Sequence, residues 1–324
     1  MTAILHRRAV LASLAAVAAP GIVRAQGFEG RTVSVIVPFP PGGGTDVAAR
    51  ILADRLSNAM KARFVIENRP GGGGSIGYVA ATRAPADGST VMLTSSAITT
   101  MPFLYPSKGY DPLRDTVPVS LIGSGPSLVC VGLHVPVTTL RDLIDLAKAK
   151  PGALTYASAG IGSGLHLSAE LFKKLAGIDV KHVPYKGASL ATGDLLGGRI
   201  DMIVDILSSV KPLVDDKKLK ALAITAKERS KLVPDIPPAA ETVPGYEFAA
   251  WFGLYLPAKT PAGIAEELQA AVASVLATPD VKERYAVLGM ETVGSSPAEF
   301  ARFMAADLDK WGRAIKELGI TAEG

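Results

Sequence analysis

Cysteine and histidine are both scarce in this 324-residue chain, and their scarcity excludes several kinds of site. The single cysteine, Cys130, cannot form an internal disulfide, and its apolar neighbours favour a small core residue over a nucleophile. Three histidines follow residue 25, namely His134, His166 and His182, and none lies at zinc-ligand spacing from another. The sequence therefore predicts neither a metal site nor a cofactor.

Catalytic motifs are also lacking. There is no G-x-S-x-G motif, and no nucleophile and base occur at a spacing that would serve a hydrolase. Residues 72–77 match the pattern G-x-G-x-x-G, but residues 68–70 separate them from the preceding strand. No acid follows at the distance of about 20 residues that would hold a ribose. We therefore expect a binding protein rather than an enzyme. A secreted α/β enzyme acting on carboxylates, with Asp205 or His166 as its base, is the alternative.

Excess charge of one sign is nearly absent once the first 25 residues are set aside. The whole chain carries a net charge of +4, from 34 basic and 30 acidic residues. Arg7, Arg8 and Arg24 lie before residue 26 and no acid does, so 31 basic residues remain against 30 acidic ones, a net charge of +1. This balance gives no indication of nucleic-acid binding.

The apolar stretch at residues 9–19 is shorter than the roughly 20 residues that a membrane-spanning helix needs. It follows the basic residues 6–8 and precedes a small-residue cleavage signal at 23–25, so it predicts a signal peptide over residues 1–25. General secretion is favoured, with twin-arginine export as the alternative because two arginines are adjacent. We expect the mature protein to begin at Gln26 and to be soluble in the periplasm.

Strand-like and helix-like segments alternate along almost the whole of the remaining chain. This rhythm predicts an α/β fold with parallel sheets that are covered by helices on both faces. The chain is predicted to cross between two domains near residues 119–127 and again near residues 248–256. The first lobe then comprises residues 26–122 plus 252–324 and the second comprises residues 123–251, with a ligand cleft between them that closes by hinge bending.

A turn rich in proline and glycine, residues 38–46, joins an apolar strand to a helix that begins near Asp46. Such a turn leaves backbone N–H groups at the helix N-terminus without internal partners, which suits an anion. The spacing of Asp46 and Arg50 places both on the polar face of the helix. The turn predicts half of a binding site for a small carboxylate, and a plain strand-to-helix connection is the alternative.

A second glycine-rich turn, residues 158–164, also follows a strand and opens a helix. Its candidates for ligand binding are Ser158, Gly162 and Ser163, because hydroxyls and free amides at a helix start accept a carboxylate. His166, in the first turn of that helix, is either a structural histidine or a ligand contact.

Asp205 ends an apolar strand, and open α/β sheets bind ligands at the carboxyl ends of their strands. In one interpretation it lines the crevice, where it would select ligands that carry an amine or hydroxyl donor, or a neutral region. In the other it caps the following helix at Ser208 and Ser209.

Several segments together resemble the Bug family, the receptors of tripartite tricarboxylate transporters. They are "VPFPPGGGTDVAAR", "VIENRPGGGGSIG", "YASAGIGSGLHLSAELF", "VPYKGASLATGDLLGGRIDMIVD" and "WFGLYLPAKTPAGI", and they span nearly the whole mature chain. The resemblance implies a type II periplasmic binding protein with two Rossmann-like lobes joined by two crossover strands. It also implies a monomer that delivers a carboxylate to membrane permease subunits, or one that serves in sensing.

The resemblance implies that the loop from residue 39 to residue 45 meets a ligand carboxylate through backbone groups and ordered water. Ile161 and the loop at residues 98–101 depart from the family, which often has polar residues there, and this favours a ligand with a less polar tail. The candidate ligand-binding residues are Phe39, Pro40, Gly42, Gly43, Thr45, Ser95, Ser96, Ala97, Ser158, Gly162, Ser163, His166 and Asp205.

Overall fold

The computed structural model describes residues 27–320, so the predicted signal peptide, residues 1–25, lies outside the described residues. The strands are β1 (Thr32–Val37), β2 (Arg63–Asn68), β3 (Thr90–Ser95), β4 (Thr116–Gly132), β5 (Thr155–Ser158), β6 (Lys181–Pro184), β7 (Met202–Ile206), β8 (Leu219–Ile224), β9 (Ala249–Pro257) and β10 (Glu291–Thr292). The helices are α1 (Gly44–Ala59), α2 (Ser75–Thr82), α3 (Ala97–Leu104), α4 (Pro112–Asp115), α5 (Leu140–Ala149), α6 (Gly164–Ala176), α7 (Ala188–Leu196), α8 (Leu207–Asp215), α9 (Ala262–Ala277), α10 (Pro279–Val287) and α11 (Pro297–Leu318). Short 3-10 turns lie at Gly72–Gly74, Pro106–Lys108 and Ala239–Glu241. None of these helices is long and apolar enough to cross a bilayer.

Strand β4 joins two half-sheets into one ten-stranded sheet. Its first part pairs with β9, and this half-sheet has the order β2-β1-β3-β9-β4, with β10 also paired to β4. From Ser127 onward β4 pairs with β7 and β8, and this half-sheet continues through β5 to β6. Each half-sheet with the helices that pack on it is called the first half or the second half below.

Helices cover both faces of both half-sheets. In the first half, one core contains residues of α1, α9 and α10, and the other contains residues of α2, α3 and α11. In the second half, α5 and α6 pack on one face while α7 and α8 pack on the other. The periodicity of α5 shows why, since Leu140, Leu143, Ile144 and Ala147 recur at helical spacing and all are buried. The prediction that helices cover the sheets on both faces is confirmed.

The sheets are not parallel throughout, so that part of the prediction was wrong. Strands β1, β2 and β3 are mutually parallel, as are β5, β6 and β7, but β9 and β4 run antiparallel to their neighbours. Strand β4 carries the chain from the first half into the second, and β9 receives it on its return. The two strands therefore run in opposite directions and pair without a crossover helix.

Strand β4 is 17 residues long, and Gly123 and Gly125 lie within it without interrupting it. A Cβ atom on Gly123 would lie 2.7 Å from the carbonyl oxygen of Glu291, and one on Gly125 would meet the carbonyl oxygen of Gly289. These glycines therefore serve the close approach of a neighbouring segment rather than the end of a strand. The first predicted crossing lies inside one continuous strand, and the domain boundaries after residues 122 and 251 stay predictions.

Candidate functional site

Five helix N-termini converge on one cavity between the two halves. Helices α1 and α3 follow β1 and β3 in the first half, and α6, α7 and α8 follow β5, β6 and β7 in the second. Each helix thus starts at or just beyond the carboxyl end of a parallel strand, which is where open α/β sheets bind ligands. The residues that line the cavity are Phe39, Pro40, Gly43, Gly44, Thr45, Ser95, Ser96, Ala159, Ser163, Gly164, Leu165, Gly187, Ala188, Ser189, Asp205, Ile206, Phe248, Ala250 and Phe252.

The cavity encloses about 570 Å³ of space free of protein atoms, part of it open to solvent. Its walls are mostly apolar, and the polar side chains are serines, a threonine and Asp205. None of the described residues that line it is a lysine, arginine or histidine. The positive potential in the cavity therefore comes from helix N-termini, each equivalent to roughly half an elementary charge.

Asp46 holds the turn that precedes α1. Its carboxylate accepts hydrogen bonds from the Gly42 amide at 2.9 Å, from the Arg50 guanidinium at 2.9 and 3.0 Å, and from the Asn68 side chain at 2.9 Å. Asn68 also donates to the carbonyl oxygen of Phe39 at 3.0 Å. Burial alone would raise the pKa of Asp46, but these hydrogen bonds together hold it below its usual range. Asp46 and Arg50 share one face of α1, as predicted, but Asp46 is only 2% exposed.

The first-half candidates divide into two groups. Phe39, Pro40, Gly43, Thr45, Ser95 and Ser96 line the cavity, whereas Gly42 and Ala97 do not. The Gly42 amide is taken by Asp46, and the Ala97 amide donates to Ser95 Oγ at 3.4 Å. Helix α1 has no side-chain cap on its N-terminal amides, since its cap residue is Gly43. The turn therefore presents main-chain donors to the cavity.

Of the candidates in the turn at residues 158–166, only Ser163 lines the cavity, while Ser158, Gly162 and His166 lie behind it. Ser163 caps α6 by accepting a hydrogen bond from the His166 amide at 3.3 Å. Gly162 donates its amide to His166 Nδ1 at 3.1 Å, and its carbonyl oxygen accepts from Thr100 Oγ1 at 2.7 Å. Thr100 belongs to α3, so the last bond joins the two halves. These residues shape the loop rather than face the cavity.

His166 and His182 stack on each other beneath this loop, with ring centroids 4.2 Å apart. Burial lowers the pKa of His166 to about 3 and that of His182 to about 4, so both rings are neutral at ordinary pH. Because Nδ1 of neutral His166 accepts a hydrogen bond, its proton resides on Nε2. The geometry matches the structural interpretation of His166.

Ser158 and His182 form a serine–histidine pair that sequence spacing did not reveal. Ser158 Oγ lies 2.7 Å from His182 Nε2 and also accepts the Gly160 amide at 3.1 Å. The expectation that the chain has no hydroxyl nucleophile beside a base was therefore wrong, since the fold brings these two side chains into hydrogen-bond contact. Ser158 is nevertheless completely buried and does not line the cavity, so a ligand there does not reach its hydroxyl.

Asp205 lies at the carboxyl end of β7, is fully buried and lines the cavity. Its Oδ1 accepts a hydrogen bond from the Ile206 amide at 2.7 Å, whereas Oδ2 is buried and has no partner among the described residues. Helix α8 begins after Ile206 and has no side-chain cap, so Asp205 does not cap it. Burial raises the pKa of Asp205 to about 7, despite the opposing effect of the Ile206 hydrogen bond.

Sequence reasoning missed the turn between β6 and α7. Gly187, Ala188 and Ser189 line the cavity there, and the signal was available, because a strand again ends in a glycine-containing turn before a helix. It also missed two cavity walls, Phe252 of β9 and Phe248 just before that strand, because strand pairing places β9 beside the cavity. Residues 27–320 contain no group of three or more histidines, cysteines or acids placed to hold a metal ion.

A cleft between two α/β halves, lined by helix N-termini from both, is the architecture of a two-lobed periplasmic solute-binding protein. The comparisons with known proteins agree, and the chain belongs to the tripartite tricarboxylate transporter family receptors (TctC), whose model matches residues 48–320. It is 36% identical over 324 residues to the protein BugT of Bordetella pertussis, with 98% of each chain covered.

Solved structures give the same result. The chain is similar to Rpa4515 of R. palustris, solved with adipate, with a TM-score of 0.87, 38% identity, and 90% of this chain and 98% of that one covered. It is also similar to MatC (Rpa3494) of Rhodopseudomonas palustris with bound malate, with a TM-score of 0.85, 31% identity, and coverage of 89% and 100%. The predicted family and the predicted two-lobed fold are confirmed.

Proposed function

We propose that the protein captures a small organic carboxylate in this cavity and delivers it to the permease subunits of a tripartite transporter, without chemical conversion. The observation that carries the proposal is the convergence of five helix N-termini on a cavity whose described lining contains no cationic side chain. Unpaired main-chain amides at helix starts favour an anion, and the apolar surroundings strengthen each such hydrogen bond.

The walls of the cavity indicate the shape of the ligand. Phe39, Leu165, Phe248 and Phe252 provide apolar surface around the main-chain donors. A ligand with a carboxylate and an aliphatic or aromatic body would bury that body there, at about 25 cal/mol for each Å² removed from water. The relative solved with adipate supports an aliphatic chain of this kind, and the one solved with malate shows that the family also includes binders of short hydroxy acids.

Contacts between the two halves close the cleft around this space. A Cβ atom on Gly187 would lie 2.6 Å from Cγ of Pro40, so the second half touches the first at the cavity wall. On the other side, Thr100 donates across the cleft to the carbonyl oxygen of Gly162. Closure of this kind excludes water and strengthens the hydrogen bonds to a trapped anion.

The protein is proposed to act in the periplasm after removal of residues 1–25, as a monomer. The relatives support the location, because the similar solved structures include the periplasmic binding protein BugD. The permease would recognise the closed, loaded protein.

A thermal-shift and calorimetric screen of the mature protein tests the binding step. Adipate, malate and benzoate would each be compared with the matched neutral amide, which has the same body and no charge. A ligand at a hundredfold excess over Kd stabilises the folded state by about 2.7 kcal/mol. We expect at least one carboxylate to raise the melting temperature, its amide to have no effect, and the compound to be recovered unchanged. Equal shifts from acid and amide, or consumption of the compound, would contradict the proposal.

A further inference from the structure

The cavity contains a buried acid for which the described residues provide no second partner. Asp205 Oδ1 is satisfied by the Ile206 amide, but Oδ2 borders the cavity without a hydrogen bond. An ionised carboxylate in such a position would need a cation or another donor, and the described lining contains no lysine, arginine or histidine. The arrangement therefore requires either a donor from the ligand or a proton on Asp205.

We propose that Asp205 binds the ligand as a neutral carboxylic acid whose Oδ2–H donates to a ligand oxygen, so that capture of the carboxylate takes up one proton from solvent. This inference rests on the proposed function, since it assumes that the ligand is an anion. The proton enters and leaves with the ligand, and no covalent bond is made or broken.

The charge balance of the cavity favours this form over an ionised one. The helix N-termini attract negative charge, and an incoming carboxylate supplies it. A second carboxylate in the same buried space would repel the first, and two acids that share a site ionise together only at a large cost. A ligand amine would resolve the repulsion, but the same helix N-termini repel a cation.

Burial and the Ile206 hydrogen bond set the pKa of Asp205, and charged groups on the neighbouring elements leave its titration undisturbed. Cys130, on the adjacent strand β4, interacts electrostatically with Asp205, but burial raises the pKa of its thiol and keeps it neutral. On α6, His166 is held neutral by burial. On α8, Lys211 is paired with Asp215 at 2.6 Å.

Asp205 of the ligand-free protein ionises near neutral pH, where binding can be measured. Burial raises its pKa to about 7, which is some three units above the ordinary value of 3.8. A bound anion raises it further, so the complex keeps the proton at pH values where the free protein has lost it. Proton uptake should consequently be measurable above pH 7.

Isothermal titration of the mature protein with adipate between pH 6 and pH 9, in two buffers of different ionisation enthalpy, tests the inference. Adipate stays almost fully ionised at pH 7 and above, because ordinary carboxyl pKa values lie near 4. We expect uptake of about 0.9 proton at pH 8, and an affinity that falls about fifty-fold between pH 7 and pH 9. Asp205→Asn keeps the shape and a donor, so its affinity should not change with pH. Asp145→Asn, an exposed acid on α5, is the matched control and should behave as the wild type.

The outcomes distinguish failure of this inference from failure of the proposed function. Wild-type protein that binds adipate with no proton uptake and constant affinity overturns this inference and leaves the proposed function standing. Affinity that rises with pH overturns it as well, because the ionised acid would then be the binding form. Should adipate, malate and benzoate all fail to bind at every pH, the proposed function falls and this inference falls with it. If the Asn variant does not fold, the number of protons that the wild-type protein takes up on binding is sufficient to test the inference.

Discussion

Replacement of Asp205 by Asn should raise the free energy of unfolding of the ligand-free protein at pH 8. Folding moves this carboxyl group from water, where its pKa is 3.8, into a site where burial raises the pKa to about 7. Each unit corresponds to 1.36 kcal/mol, so ionised Asp205 destabilises the folded state by up to about 4 kcal/mol. Asn has the same shape and no charge to desolvate, so the variant avoids this destabilisation.

The pH dependence of this effect has a definite sign. Below pH 4, Asp205 is protonated in both the folded and the unfolded states and contributes nothing to the difference. Between about pH 4 and pH 7 the folded state retains a proton that the unfolded state has lost, so wild-type stability falls as the pH rises, and above pH 7 it levels off. The difference in the free energy of unfolding between the Asn variant and the wild type should therefore grow between about pH 4 and pH 7.

Thermal unfolding at several pH values between 4 and 8 measures this difference in stability. For a domain of this size about 1 kcal/mol corresponds to roughly 2 °C, so the variant should melt roughly 6–8 °C higher at pH 8 and at the same temperature near pH 4. A variant that is less stable at pH 8, or a gap that does not change with pH, would refute the reasoning.

Asp46→Asn is the matched control, and its effect has the opposite sign. The hydrogen bonds to Asp46 hold its pKa below the usual range, so its contribution to stability is present above about pH 4 and is lost as the pH falls through the folded-state pKa. The variant should therefore be less stable than the wild type at pH 8, and the difference should shrink in acid. Equal behaviour of the two variants would show that the neutralisation of any buried acid has the same effect.

Three further changes test the closed cleft. Gly187→Ala places a Cβ atom 2.6 Å from Pro40, so calorimetry should show adipate affinity reduced by about tenfold, or about 1.4 kcal/mol. Thr100→Val leaves the buried carbonyl oxygen of Gly162 without its donor, which should cost about 1–3 kcal/mol of binding free energy by the same measurement. Trp311→Ala removes a ring that packs between the halves, and urea denaturation should show a loss of about 3–5 kcal/mol in the free energy of unfolding.

Controls for these changes come from the same elements. A Cβ atom on Gly193, in α7, would meet no neighbouring atom within 4 Å, so Gly193→Ala should leave adipate affinity unchanged. Wild-type affinity in Gly187→Ala would show that the two halves need not touch there when the ligand binds. For Trp311, a loss below about 1 kcal/mol would place the ring outside the cooperative core.

The sequence predicted the elements that hydrophobic periodicity controls. The sequence predicts a helix over residues 297–318, and helix α11 has these bounds because its apolar residues recur at helical spacing after a capping serine, Ser296. Residues 98–101 were taken as a loop from the family resemblance, whereas they belong to helix α3. Its place after β3 is fixed by packing against α11, which sequence spacing does not reveal.

The candidate site could be predicted only in part, for a similar reason. The turn before α1 was found because its glycines and prolines mark a helix start directly after a strand. The pairing of Ser158 with His182 was not found, because the two residues meet through adjacent parallel strands, β5 and β6. Local pattern identifies a turn, but the alignment of neighbouring strands decides which side chains meet.

The cavity's reliance on main-chain donors has a consequence for how such receptors diversify. Every residue except proline carries an amide, so substitutions on the walls leave most of the anion-binding groups in place. Changes at Phe248 or Phe252 can alter the space available to the body of a ligand while its charged end stays anchored. Gene duplication could thus yield many receptors for different acids from one scaffold, each separated from its neighbours by a few wall residues.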